Sequence, residues 1–180
     1  MIRRERVIKD ANSEKLLELV EKCKGKGKMP LPVAIVVMGF LTAEYDKTLQ
    51  QIAEAENMKI VDHTAIAVQM HYADASKVDT EWKRQINEAM MNYQGVIILR
   101  HFGDNELTRN NMVNAARTGM KSAKVILVKL MADSVRGFMY HQEKYNELFT
   151  SDSQMVIVQN IVYKGISLGE RFDYVVELAE

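Results

Sequence analysis

The chain has 180 residues, 47% of them hydrophobic and 27% charged, a globular balance that excludes a disordered chain and suits one domain with a sizeable core. Lys plus Arg equals Asp plus Glu at 24 each, so no net field favours general nucleic-acid binding. The single cysteine, Cys23, excludes an internal disulfide and a multi-cysteine zinc site, and no apolar run approaches the roughly 20 residues of a membrane span, so the expectation is a cytoplasmic protein with no membrane association.

Residues 1–32 read as an N-terminal helix and basic linker, and residues 33–180 as the main α/β domain. The start, Met1-Ile2-Arg3-Arg4-Glu5-Arg6, has no apolar run behind it, so the expectation is that it is not a secretory signal. Ser13 is a good N-cap, and Leu16, Leu17, Val20 and Cys23 recur at helical spacing. Glycines and like charges across residues 24–28, then Pro30 and Pro32, predict a mobile basic connector over 24–32. A phosphate-seeking arm is the other reading of that segment.

Val33 to Met38 is a continuous β-rich apolar run, as in a strand buried on both faces of a parallel sheet, and Gly39 ends it. A helix follows on Tyr45, Leu49, Ile52 and Ala53, then a short strand over 58–61 ending at Asp62. Trp82, Ile86, Met90 and Tyr93 mark a helix begun by Asp79 or Thr80. Gly95–Leu99 is a third strand, followed by a helix capped by Asp104 or Asn105 and stopped by Gly119. Val125–Val128 is a fourth strand. Val135, Phe138, Gln142, Tyr145 and Phe149 mark a long helix, Met155–Val158 a fifth strand, and Phe172, Val175, Val176 and Leu178 a last amphipathic helix over 169–179. Strands alternating with helices imply βαβ crossovers and a three-layer α/β domain with a mostly parallel five-stranded sheet. Ligands in such folds bind at the C-terminal ends of strands, which directs attention to residues 39–48, 62–64 and 100–105.

This order of pieces resembles the P-loop kinases over about residues 31–160, in particular the branch containing polynucleotide kinases and related small-molecule kinases. The first strand leads through Gly39 to Lys47-Thr48, the second ends in Asp62, the third leads into Gly103-Asp104-Asn105-Glu106-Leu107-Thr108-Arg109, and Ala115-Ala116-Arg117-Thr118-Gly119 precedes the fourth. The resemblance implies a P-loop-kinase-like topology and Mg-ATP as cofactor. It places Gly39, Lys47, Thr48 and Asp104 around the nucleotide, with Lys47 neutralising phosphate and Thr48 holding magnesium. Asp62 would be the base toward an acceptor hydroxyl and Arg136, with Lys144 nearby, the lid cation. The phosphate loop itself departs from G-x-x-x-x-G-K-[ST]: counting back from Lys47, Leu41 and Asp46 stand where the glycines belong. Asp46 lacks the conformational freedom of glycine, and with Glu44 it sets carboxylates against phosphate oxygens, a repulsion of roughly 4 kcal/mol at about 4 Å.

Two functional readings stay open. One is a degenerate kinase-like protein acting by binding a nucleotide or protein partner without normal ATP turnover. The other is an active kinase phosphorylating a nucleoside, nucleotide or polynucleotide hydroxyl. Asp62 reads equally as the cap of the next helix. His63, His71, His101 and His141 share no metal-ligand spacing, although Arg100-His101 follows a buried strand at the functional edge. The twelve methionines read as core filler. A dinucleotide site lacks its G-x-G-x-x-G and ranks lower. The acidic residues Glu170, Asp173, Glu177 and Glu180 of the terminal segment, set against Arg3, Arg4, Arg6 and Lys9, suggest docking on the chain's own domain or a homo-oligomeric contact.

Overall fold

The computed structural model describes residues 10–25 and 30–179. The elements in chain order are α1 (Ala11–Lys24), β1 (Val33–Gly39), α2 (Ala43–Glu56), β2 (Lys59–Asp62), α3 (His63–Gln69), α4 (Ala75–Asn92), β3 (Gly95–Leu99), α5 (Glu106–Gly119), β4 (Lys124–Leu130), α6 (Ser134–Tyr145), α7 (Ser151–Val158), a π-helical turn (Gln159–Lys164) and β5 (Tyr174–Leu178). The five strands form one parallel sheet in the order β2-β3-β1-β4-β5. β1 lies at its centre, in register from Val33 opposite Lys124 to Gly39 opposite Leu130, and all its residues are buried.

Strand periodicity divides the core into two. Val33, Ile35, Val37, Ile97, Ile126 and Val128 face α1 and α2, meeting Leu16, Val20, Tyr45, Leu49 and Ile52. Ala34, Val36, Val96, Ile98, Val125 and Leu127 face α4 and α5, meeting Trp82, Ile86, Met90, Met112 and Ala116. Alternate side chains point to opposite faces, so continuous apolar runs are what a sheet covered on both sides demands. This is the expected three-layer α/β architecture. The strand order differs from that of a dinucleotide-binding sheet, 3-2-1-4-5-6.

Several local expectations are corrected. Met155–Val158 is not a strand; it lies in α7, capped by Thr150. The terminal segment 169–179 is not a helix: Tyr174–Leu178 pairs with β4 as the fifth strand, with Val176 and Leu178 buried and Val175 and Glu177 exposed. A helix there would leave one side of β4 without hydrogen-bond partners, and the alternating pattern fits a half-covered edge. Asp10, not Ser13, caps α1, accepting from the Ser13 amide at 2.8 Å and hydroxyl at 2.7 Å. Asp74, not Asp79 or Thr80, caps α4. The basic arm Arg3, Arg4, Arg6 and Lys9, the linker residues Lys26 and Lys28, and Glu180 lie outside the described residues. Lys24 closes α1 and pairs with buried Glu56 at 2.5 Å. Among the described residues no helix is long and apolar enough to cross a membrane.

Candidate functional site

β1 and β3 are neighbours, yet their C-terminal connections run to opposite faces: β1 leads to α2 and β3 to α5. A crevice opens where adjacent connections diverge in this way, and it is the ordinary ligand site of a parallel sheet. Here it lies between Phe40–Thr42 and the turn over 100–105. The two loops are tied together: the Gly39 amide donates to the Phe102 carbonyl at 2.8 Å. Gly39 has φ +114°, and a Cβ there would stand 2.4 Å from the Leu130 carbonyl oxygen, so glycine is required by the close approach of β4.

The β1–α2 connection is short. Thr42 caps α2, its hydroxyl accepting from the Tyr45 amide at 3.4 Å, and the helix begins at Ala43. Lys47 and Thr48 therefore lie in the second turn of α2, not at its N-terminus. Lys47 is exposed. Thr48 is buried and its hydroxyl donates back to the Glu44 carbonyl at 3.2 Å. Asp62 ends β2 and caps α3, accepting from the Thr64 amide at 3.0 Å, with the Tyr145 hydroxyl donating to its other oxygen. Asp104 accepts from the Asn160 side-chain amide at 2.9 Å, and Asn105, not Asp104, caps α5. Arg136, in the first turn of α6, stands 4.0 Å from Glu44 at a half-exposed position. Gly39, Asp62 and Asp104 thus reach the strand-end edge, Thr48 is turned into its own helix, and Lys47 faces solvent.

α6 occupies the crevice. Asp46 accepts from the Tyr140 hydroxyl at 2.5 Å and from Lys144 Nζ at 2.7 Å. Burial alone would raise the Asp46 carboxyl, but the hydrogen bonds from Lys144 and Tyr140 outweigh it and hold the group below the usual aspartate range. Burial, reinforced by Asp62, pushes the Tyr145 phenol up, so it remains a donor. Between these polar clamps, Phe40 meets Phe102 and Phe138 at ring-centroid separations of 5.6 and 5.4 Å, and His141 meets Phe102 at 5.1 Å. Gly137 lets α6 lie directly on Phe40: a Cβ there would be 2.4 Å from the Phe40 Cβ. Beneath α6 the space lined in part by Gly39, His101, Tyr140 and Tyr145 is about 10 Å³, room for at most one water, and beside it Thr42, Ala43, Arg136 and Tyr140 line a cleft of about 220 Å³.

Two further clusters flank the plug. His63 Nε2 meets Asp79 at 2.8 Å, Asp79 also pairs with Arg100 at 3.3 Å, and Arg100 lies 5.0 Å over the Trp82 ring. Burial pushes the His63 imidazole down more than Asp79 raises it. Arg109 is fully buried and donates to both oxygens of Glu170 at 2.6 and 2.9 Å, to the Gly103 carbonyl at 2.9 Å and to the Gly165 carbonyl at 3.2 Å. On the other side of α6 lies an open apolar groove of about 700 Å³ between α6 and α7, with Val135, Phe138, Met139, Leu148, Met155 and Tyr163 on its walls.

Sequence reading missed Phe40, Tyr140 and Tyr145 as site residues. The only signal was Tyr145 at core spacing along α6, and nothing local points it at Asp62, 83 positions away.

The fold and this edge together define a parallel α/β domain in which helix α6 lies over the strand ends. No family model and no curated protein matches the chain. Among solved structures it is similar to a gluconokinase from Sinorhizobium meliloti 1021, at 15% identity and a TM-score of 0.47 over 83% of each chain. It is also similar to a shikimate kinase from Bacteroides thetaiotaomicron, at 12% identity and a TM-score of 0.45 over 81% of this chain and 86% of that one. Likeness at this level leaves the chemistry to be argued from this chain's own residues.

Proposed function

We propose that this chain is a degenerate kinase-like protein that acts by binding a partner along the α6–α7 groove and not by turning over ATP. One observation carries the reading: helix α6 lies over the strand ends, leaving about 10 Å³ beneath it and a cleft of about 220 Å³ beside Thr42 and Arg136, while the groove on its other side is open at about 700 Å³. The residues at the strand ends do not fit a triphosphate with its magnesium. A phosphate cradle needs successive backbone N–H groups around a glycine-rich turn, and here a short connection carries buried Phe40. The hydroxyl of Thr48 is already bonded within α2, and Asp46 brings a buried carboxylate to the same edge. The groove has the size and apolar lining of a binding site.

The competing reading, an active kinase for a nucleoside, nucleotide or polynucleotide hydroxyl, draws support from Asp62 at the end of β2 and Arg136 at the start of α6. It requires α6 to leave the crevice and Tyr145 to release Asp62.

Thermal unfolding with and without millimolar Mg-ATP separates the two. A site saturated a hundredfold adds about 2.7 kcal/mol, a rise of roughly 5–10 °C for a chain of this size. The expected result is no shift. A rise of that size that disappears in Lys47→Ala would overturn the proposal.

A further inference from the structure

Helix α7 is apolar along Met155, Val156, Ile157 and Val158, yet none of its residues is buried. Ile157 and Val158 lean partly on the core face of α4 and α5, but Met155 and Val156 stand exposed, and exposed apolar surface of this kind finds a partner or aggregates. Val135, Met139, Leu148, Met155, Val156 and Tyr163, on α6, α7 and their flanks, all stand more than half exposed. Five of the six, all but Val156, line the one groove, so the exposed apolar surface is gathered and not scattered, the mark of a contact site.

We infer that this face is a two-fold interface with a second copy of the chain, formed by antiparallel packing of the helical run from Ser151 to Lys164 into the α6–α7 groove of the partner. Charge selects this occupant. Asp152, near the start of α7, and Lys164, at the end of the π-helical turn, are both exposed, and neither makes an ion pair among the described residues. They lie 12 positions apart, with α7 and the π-helical turn between them. Antiparallel self-pairing sets each Asp152 against the Lys164 of the other copy, one pair at each end of the apolar strip. Parallel pairing would set like charges together. A two-fold contact is self-complementary by construction, so apolar residues between ends of opposite sign are the pattern it requires. The inference rests on the groove as a binding surface but not on closure of the strand-end crevice, so the Mg-ATP experiment and the one below fail independently.

Light scattering and sedimentation on the full chain at tens of micromolar should give twice the monomer mass. Val156→Glu, at an exposed position, should give a folded monomer whose melting temperature no longer depends on protein concentration, lower than that of the native chain only by what dimerisation adds. Asp152→Lys and Lys164→Asp should each weaken dimerisation roughly fivefold to tenfold, and the double swap should restore it. Gln159→Cys, at an exposed position beside the midpoint between Asp152 and Lys164, should form an intermolecular disulfide under mild oxidation, since Cys23 is buried. A monomer at hundreds of micromolar overturns the inference, as does a dimer indifferent to Val156→Glu. A double swap that does not restore association refutes the antiparallel register, even if the chain is dimeric.

Discussion

Replacing Glu170 by alanine tests how the turn after β3 is held. Arg109 and Glu170 are each about 1% exposed at their side chains, and the guanidinium makes four hydrogen bonds, two to the Glu170 carboxylate and one each to the Gly103 and Gly165 carbonyls. Glu170 also accepts from the Ser167 amide at 2.7 Å. Glu170→Ala leaves a buried cation facing two carbonyls, and removing one partner of a buried pair costs about 3–5 kcal/mol. At roughly 2–4 °C per kcal/mol for this size, the melting temperature should fall by about 6–20 °C. Urea unfolding followed by circular dichroism measures the loss directly, as a lower midpoint with an unchanged slope. Arg109→Met should cost a similar amount, because it strands the carboxylate. The double replacement Arg109→Met with Glu170→Leu removes both charges and should recover at least about 2 kcal/mol relative to the sum of the single losses. A Glu170→Ala loss below about 1 kcal/mol, or strict additivity in the double variant, would refute the reasoning.

Tyr145→Phe and Lys144→Met each remove a clamp on α6; each should cost about 1–3 kcal/mol, and hydrogen exchange should show α6 amides opening faster while the β1 amides keep their protection. Gly137→Ala places a methyl group against Phe40; despite the better helix propensity of alanine it should destabilise by about 1–3 kcal/mol, and shrinking Phe40 to leucine in the same chain should relieve much of the strain, both read by urea midpoints. His63 has a folded pKa below its ordinary value of about 6.5, so the unfolded chain takes up the proton first. Its contribution is therefore full above about pH 6.5 and is lost as pH falls below it, with a slope of at most about 1.4 kcal/mol per pH unit; His63→Gln should flatten that slope between pH 7 and 5.5 in denaturant titrations. Asp46, with its lowered carboxyl, contributes stability that is present above the ordinary aspartate value of about 3.8 and lost as pH falls through its folded value; Asp46→Asn should shrink the acid limb, which Asp79 and Glu81 share, while leaving the histidine limb in place.

The central strands were legible in the sequence because burial on both faces leaves little choice of residue: β1, β3 and residues 125–128 of β4 are continuous apolar runs closed by glycine or by a basic residue. The same logic misread Met155–Val158, since a short apolar run has no period of its own and fits a buried strand or a helix equally well. Its helical state follows from the Thr150 cap, and the edge of β4 is filled instead by Tyr174–Leu178, whose alternation is the mark of a half-covered strand. The position of the candidate site at the strand ends, and Gly39 and Asp62 as its edge residues, also came from sequence, because in a parallel sheet chain direction alone puts those residues on one side. What fills that edge did not. Asp46 meets Lys144 across 98 positions, Asp62 meets Tyr145 across 83, and Arg109 meets Glu170 across 61. Local periodicity tells which face of a helix is apolar. It does not tell which distant helix will lie on it, because that is decided only when the sheet has brought the strand ends together and α6 has settled on Phe40 through Gly137.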